Sequence, residues 1–210
     1  MPINVMLCIA FLFSCNSTTE ESRLPYYSSA EFTPHWMIPE ALPTDFHRVP
    51  SFSLRSHHGQ EITEKSMDGK ITVVDFFFTF CPGICPTLTK NMAAVVSEFP
   101  NDQELLFFSH SVTPKHDTVE KLRQYAAEKN IVAPNWHLLT GDKDRIYHLG
   151  RNVYFVEENL GKDKSPDEFL HTENFVLIDK NRHIRGIYNG LNKTSVRQLI
   201  TDIGVLQQEK

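Results

Sequence analysis

The chain has 210 residues, 40% of them hydrophobic and 22% charged, which suits one globular domain with extra length at an end and excludes disorder throughout. Its 21 Lys and Arg against 26 Asp and Glu give a formal charge of −5, and the lack of any basic run argues against nucleic acid or a polybasic membrane patch. Four cysteines are too few for a disulfide-dense scaffold, and no apolar stretch approaches the ~20 residues of a membrane-spanning helix.

Residues 3–15, INVMLCIAFLFSC, form a short apolar run ahead of the polar NSTTEES, the pattern of a secretory signal rather than of a structural helix. The ending Leu12-Phe13-Ser14-Cys15 resembles the lipobox of bacterial lipoproteins, with a leucine three residues upstream and a small residue just before the cysteine. That resemblance implies a signal peptide over residues 1–14 and Cys15 as the acylated first residue of the mature chain. The domain is then exported and held by an N-terminal lipid anchor on the periplasmic side of a bacterial membrane. A cleaved signal without lipid is the alternative, and Cys8 falls inside the removed segment in either case.

Residues 15–48 carry Ser/Thr clusters and Pro25, Pro34, Pro39 and Pro43 without sustained periodicity, which reads as a tether. As a random coil such a segment spans on the order of 30 Å. Tyr26, Tyr27, Phe32 and Trp36 are unusual in a free linker and predict that part of it packs on the domain at residues 49–210.

That domain alternates strands and helices. Val49–Leu54 and Glu61–Thr63 flank His57-His58-Gly59 as a hairpin. Lys70–Phe78 is a nearly continuous apolar run, expected of a strand buried on both faces. Pro86–Phe99 has helical spacing, Leu105–Val112 is a second strand, and Asp117-Thr118-Val119-Glu120 has capping-box spacing, with Asp117 read as the cap of a helix to about Lys129. Trp136–Leu139 follows as a strand and Asp142–Gly150 as a short helix closed by its glycine. Phe169–Ile178 and His183–Tyr188 make a hairpin around Asp179-Lys180-Asn181, and Val196, Leu199, Ile200 and Ile203 mark a final amphipathic helix. The order predicts a three-layer α/β/α domain with an N-terminal β-hairpin addition.

Chemistry concentrates where the buried strand meets the next helix, in Phe76-Phe77-Phe78-Thr79-Phe80-Cys81-Pro82-Gly83-Ile84-Cys85-Pro86. One helical turn puts the two thiols on the same side, Cα atoms ~6 Å apart and within disulfide reach. A helix N-terminus favours thiolate over thiol. Thiolates are soft ligands for Cu(I), zinc or iron–sulfur chemistry and are also the nucleophiles of disulfide exchange. An inert structural disulfide is the plain alternative in an exported protein, but a bond closing so small a loop constrains little of the unfolded chain.

FFFTFCPGICPTLTKNM resembles the CPxxCP site of the Sco/SenC family, the copper chaperones for cytochrome c oxidase assembly, which adopt a thioredoxin-like fold. The likeness runs through residues 49–210: Ser111-Val112-Thr113-Pro114 with Asp117-Thr118 is similar to the family's SVDPxxDT, and WHLLTG (136–141), FVLID (175–179) and LPYY (24–27) also match. The resemblance implies copper, as Cu(I) or Cu(II), bound by Cys81, Cys85 and a distal histidine just before the FVLID strand, which here is His171. It implies as partners a cytochrome c oxidase subunit or another copper chaperone. Gly83 and Thr113 depart from the family's usual acidic residues at those positions.

Two thiolates with Cu(I) carry net charge −1 and with Cu(II) none, and an added imidazole suits Cu(II). His110, at a strand end, is the spare ligand candidate; His57, His58 and His116 have weaker claims, and the methionines form no cluster. Structural zinc wants four ligands and only three are evident. Asp75, a carboxylate inside an apolar strand, is either a proton acceptor for the thiols or a hydrogen-bonded buried group. The expected function is metallochaperone rather than enzyme. The alternative is a thiol–disulfide oxidoreductase, with Cys81 and Cys85 as its redox pair, that reduces copper-ligand cysteines of a partner. The three residues between the cysteines, and the lack of a proline just before Phe175–Ile178, favour metal binding over that alternative.

Overall fold

The computed structural model describes residues 23–157, 170 and 172–209, so the expected signal at residues 1–14, Cys15 and His171 lie outside the described residues. Strand β3 (Ile71–Phe77) is the axis of the fold: all seven of its residues are buried. An apolar run without alternation demands cover on both faces, and full burial of each Val, Ile or Phe is worth about 1.5–3 kcal/mol. β3 pairs parallel with β4 (Leu105–Ser111) and antiparallel with β6 (Asn174–Ile178). The seven-stranded sheet runs β2-β1-β5-β4-β3-β6-β7, with β5 at Trp136–Thr140 and β7 at Ile184–Asn189.

Helices α1 (Cys85–Glu98), α2 (Val119–Glu128) and α4 (Lys193–Gln208) cover one face, packing Leu88, Met92, Leu122, Leu199 and Ile203 on Val73, Phe107 and Leu177. Helix α3 (Lys143–His148), the π-helical turn Leu149–Val153 and the chain ahead of the first strand cover Val74, Phe76 and Phe108 on the other. Helices on both faces of a mixed sheet make the three-layer thioredoxin-like architecture that the strand and helix order predicts.

Four details depart from the sequence-based expectation. The hairpin of β1 (Ser53–Ser56) and β2 (Glu61–Thr63) is an extension of the main sheet, because β1 also pairs with β5. β1 starts at Ser53 because the Val49 N–H is drawn off to the Arg182 carbonyl at 3.0 Å. Gly150 does not close α3, which runs on into the π turn; a Cβ there would collide with the Leu170 side chain and come within 3.3 Å of the Phe76 ring. Asp117 does not cap α2. Thr118 does, accepting from the Lys121 N–H, which frees Asp117 for the role described below.

Of the four tether aromatics, Tyr26 is buried, Tyr27 and Phe32 pack on the core, and Trp36 is 70% exposed. Tyr26 bridges His35 and Tyr27 bridges Ile184 on β7. Arg185 fastens this segment: its guanidinium donates to the Leu24 and Pro25 carbonyls, to Asp179 and to both Glu209 oxygens, and lies 4.0 Å from the Tyr26 ring centre.

Candidate metal centre

The parallel strands β3 and β4 end on the same edge of the sheet, where α/β folds gather their ligand sites, and the chain leaving β3 delivers Cys81 and Cys85 there. Helix α1 begins at Cys85 with no side-chain oxygen as its cap. The Cys81 sulfur takes that place, accepting from the N–H groups of Cys85, Gly83 and Ile84. Burial pushes the Cys81 thiol up, but its hydrogen bond with Cys85 and these three N–H groups outweigh that and bring it below the ordinary thiol value. Cys85 goes the other way. It is buried, its thiol bonds to Cys81, and the nearby Asp75 charge adds to the same upward push, with only the Phe78 N–H opposing. Both are free thiols, and the first proton leaves from the more exposed Cys81.

Two buried aspartates support this junction. The Asp117 carboxylate, fully buried, accepts from Thr79 Oγ1 (2.6 Å) and Thr79 N (3.1 Å), Ser111 Oγ (2.6 Å), Thr113 Oγ1 (2.9 Å) and His116 Nδ1 (2.8 Å). Burial raises its pKa, but those donors more than reverse it and hold the carboxyl below the usual range. Thr79 lies two residues before Cys81, so this knot ties the cysteine loop to the loop after β4. Asp75 faces α1 and α2 from the middle of β3, opposite Ser109. Burial drives its pKa up to about 7, opposed only by the Ser109 hydroxyl, which also accepts from Trp136 Nε1 at 2.9 Å. Its Oδ1 has no partner. Thr89 on α1 and Tyr125 on α2 join at 2.9 Å and lock the cysteine helix to its neighbour.

The thiols open on a cleft of about 30 Å³, above the ~10–15 Å³ that one water-sized sphere needs. Leu170 and Thr172, which flank His171 in the sequence, form part of its wall with Phe76, Ile84 and Val112. Among the described residues no group of three or more His, Cys, Asp and Glu side chains could hold a metal. The spare candidate His110 is ruled out by its facing. It is fully buried on the opposite side of the sheet between Phe76 and Tyr154, with ring centres 5.0 and 5.8 Å away, and burial keeps it neutral. His116 belongs to the Asp117 knot, and His57 packs on His58 at the β1–β2 turn.

A three-layer α/β fold that presents an asymmetric dithiol at a strand–helix junction defines a thioredoxin-like dithiol protein. Residues 41–206 match the SCO1/SenC family, and the chain belongs to it. The SCO1 protein homolog of Bacillus subtilis is 25% identical over 159 residues, covering 75% of this chain and 81% of that protein. A SCO1/SenC family lipoprotein of Bacillus anthracis superimposes with a TM-score of 0.65 at 27% identity, over 77% of this chain and 96% of its own. BsSco, described as having a disulfide switch and as a member of the Sco family of cytochrome c oxidase assembly proteins, gives 0.67 at 25% over 78% and 95%. ScoI of Bradyrhizobium japonicum, solved with copper bound, shares the fold with a TM-score of 0.59 at 23% identity, over 75% and 98%.

Proposed function

We propose that the chain binds copper through Cys81 Sγ, Cys85 Sγ and a ring nitrogen of His171, and delivers it as an assembly factor for a respiratory cytochrome c oxidase. The observation that carries this reading is the cleft that holds both free thiols and is walled by Leu170 and Thr172, the neighbours of His171. Two soft sulfurs suit Cu(I), and the imidazole extends the set to Cu(II). Family membership supports the assembly role, and copper is the metal bound in the B. japonicum relative.

We further propose that the protein is exported and lipid-anchored at Cys15, in line with the LFSC ending and the lipoprotein of B. anthracis, with residues 1–14 removed, 15–48 as tether and 49–210 as the working domain.

The test loads reduced protein and His171→Ala with copper. Reduced wild type should bind copper and the disulfide form should not; equal copper in both would remove the cysteines from the site. In His171→Ala, Cu(I) should bind more weakly but persist, while the Cu(II)–thiolate absorption band and the electron paramagnetic resonance spectrum should change. Identical Cu(II) spectra would exclude His171.

One observation favours thiol–disulfide exchange as a second reading. A half-buried Cys81 with a lowered pKa beside a buried Cys85 with a raised one is the arrangement of an attacking and a resolving thiol. Under that reading His171→Ala changes the exchange rate or reduction potential and leaves metal spectra alone.

A further inference from the structure

Beside the thiol cleft lies a second, open one of about 250 Å³, and Val112 lines both. Its floor is apolar, made of Phe80, Val112, Pro114 and Tyr147, and its basic edge is formed by Lys115 and Lys143, with His116 between the floor and the Asp117 knot. Phe80 directly precedes Cys81 and is 51% exposed although it stacks edge-on against His116 at 4.5 Å. Ile84, on the other side of Cys81, is 37% exposed. Two of the few large apolar side chains left exposed among the described residues therefore bracket the reactive sulfur.

The charge runs against the chain as a whole, which carries −5. Asp142 and Asp144 line only the adjoining cavity, which shares Lys115 and Lys143 with this one, with Asp142 occupied in capping α3, and the Asp117 carboxylate beneath is enclosed against His116 at 2.8 Å. The lining of the cleft itself carries Lys115 and Lys143 and no acid, and His116 stands against Phe80, the residue before Cys81. The volume falls just below the ~300–1,000 Å³ of small-molecule pockets and suits one or two side chains of something larger. An exposed aromatic in a cleft with a charged rim is what an interface anchor meets, and local charge of opposite sign steers a partner to it.

We propose that this cleft docks the cysteine-bearing segment of the partner protein, and that the segment is acidic with an aromatic or large aliphatic side chain beside its reacting cysteine. The proposal rests on the reading that Cys81 and Cys85 exchange copper or a disulfide with cysteines of a partner, and it names the chemistry of that partner.

The probes are three short peptides whose single cysteine carries thionitrobenzoate in mixed disulfide: Glu-Glu-Phe-Cys, Lys-Lys-Phe-Cys and Ser-Ser-Ala-Cys. The Cys81 thiolate attacks the peptide sulfur, and the peptide–thionitrobenzoate S–S bond breaks with its electron pair leaving on coloured thionitrobenzoate. Cys85 then gives its proton to solvent and attacks the Cys81 sulfur, releasing the peptide thiolate. The protein is oxidised to the Cys81–Cys85 disulfide while the mixed disulfide is reduced to two thiols. In reduced wild type at about 20 mM salt the acidic peptide should react roughly tenfold faster than the basic one, with the ratio collapsing near 0.5 M. Lys115→Glu should reverse that order, and Phe80→Ser should bring the acidic peptide down to the rate of the serine–alanine one. Both variants should react with the small neutral disulfide dithiodipyridine as wild type does, which shows that fold and thiol are intact. Equal rates for the three peptides, or a wild-type order kept in Lys115→Glu, would overturn the docking surface. Copper loading of the same samples separates the two readings: intact copper binding with no peptide preference sinks the cleft alone, and a kept preference without copper binding sinks the copper reading alone.

Discussion

Asp117 and Asp75 are both enclosed carboxyls near the strand–helix junction that carries the cysteines, yet their surroundings give them opposite characters. Around Asp117 three hydroxyls, a backbone N–H and an imidazole converge, so the charged form is held and two loops are pinned together. Around Asp75 there is one hydroxyl and apolar core, so the neutral form is favoured and one oxygen goes without a partner. Burial alone predicts the same shift for both. The number of donors decides the sign, and with it whether an acid acts as a fastener or as a store for a proton.

The largest effect should come from Asp117→Ala. It orphans the Thr79 and Ser111 hydroxyls in a closed site, and a cost of about 3–4 kcal/mol in chemical unfolding is expected for a charged network of this size. Alkylation of Cys81 should change with it, because Thr79 no longer holds the loop. A cost below about 1 kcal/mol would mean that the knot follows the fold rather than fastening it.

The second test is a pH slope. The raised pKa of Asp75 makes the folded state bind its proton more tightly than the unfolded chain does. Its penalty is absent below the unfolded value of 3.8, grows as pH rises to about 7 and is constant above. Asp75→Asn removes that term, so the stability of the variant relative to wild type should climb between those limits by on the order of 1–4 kcal/mol. Asp117, with a lowered folded value, works in the other direction: its contribution is present above the unfolded value and lost as acid carries pH down through the folded one. Parallel pH profiles for Asp75→Asn and wild type would erase the distinction between the two acids.

A smaller effect sharpens it. Near neutral pH iodoacetamide should label Cys81 at least about tenfold faster than Cys85, as a thiolate-dependent reaction requires. In Asp75→Asn the ratio should narrow, since the Asp75 charge is one cause of the raised Cys85 value. Mass spectrometry of the labelled peptides reads both numbers.

Much of this was legible in the chain itself. A seven-residue apolar strand feeding a Cys-x-x-x-Cys turn and an amphipathic helix is local information, and β3, α1 and the thiol pair stand where it put them. Asp117 was misread because Asp-Thr-Val-Glu looks the same whether the aspartate caps a helix or looks inward; its decisive donor, Thr79, is 38 residues away. The only advance hint was the supply of hydroxyls at Thr79, Ser111 and Thr113. Arg185 escaped notice for the same reason, since its partners at Leu24 and Pro25 lie 161 and 160 residues off. His110 looked available because a strand end suggests proximity to the thiols, but residue parity within β4 turns it to the opposite face.

The Arg185 clasp has a mechanical consequence. Thr72, near the start of β3, pairs with Ile178, which pairs with Ile184, so Arg185 sits at the end of the sheet away from Cys81. One guanidinium there grips both the incoming chain at Leu24 and the outgoing chain at Glu209. A pull on the chain at Leu24 therefore bears first on Arg185 of β7 and on Glu209 at the end of α4, at the end of the sheet away from the cysteine loop. The corner where the chain enters at Leu24 is thus the pole of the sheet opposite the thiols.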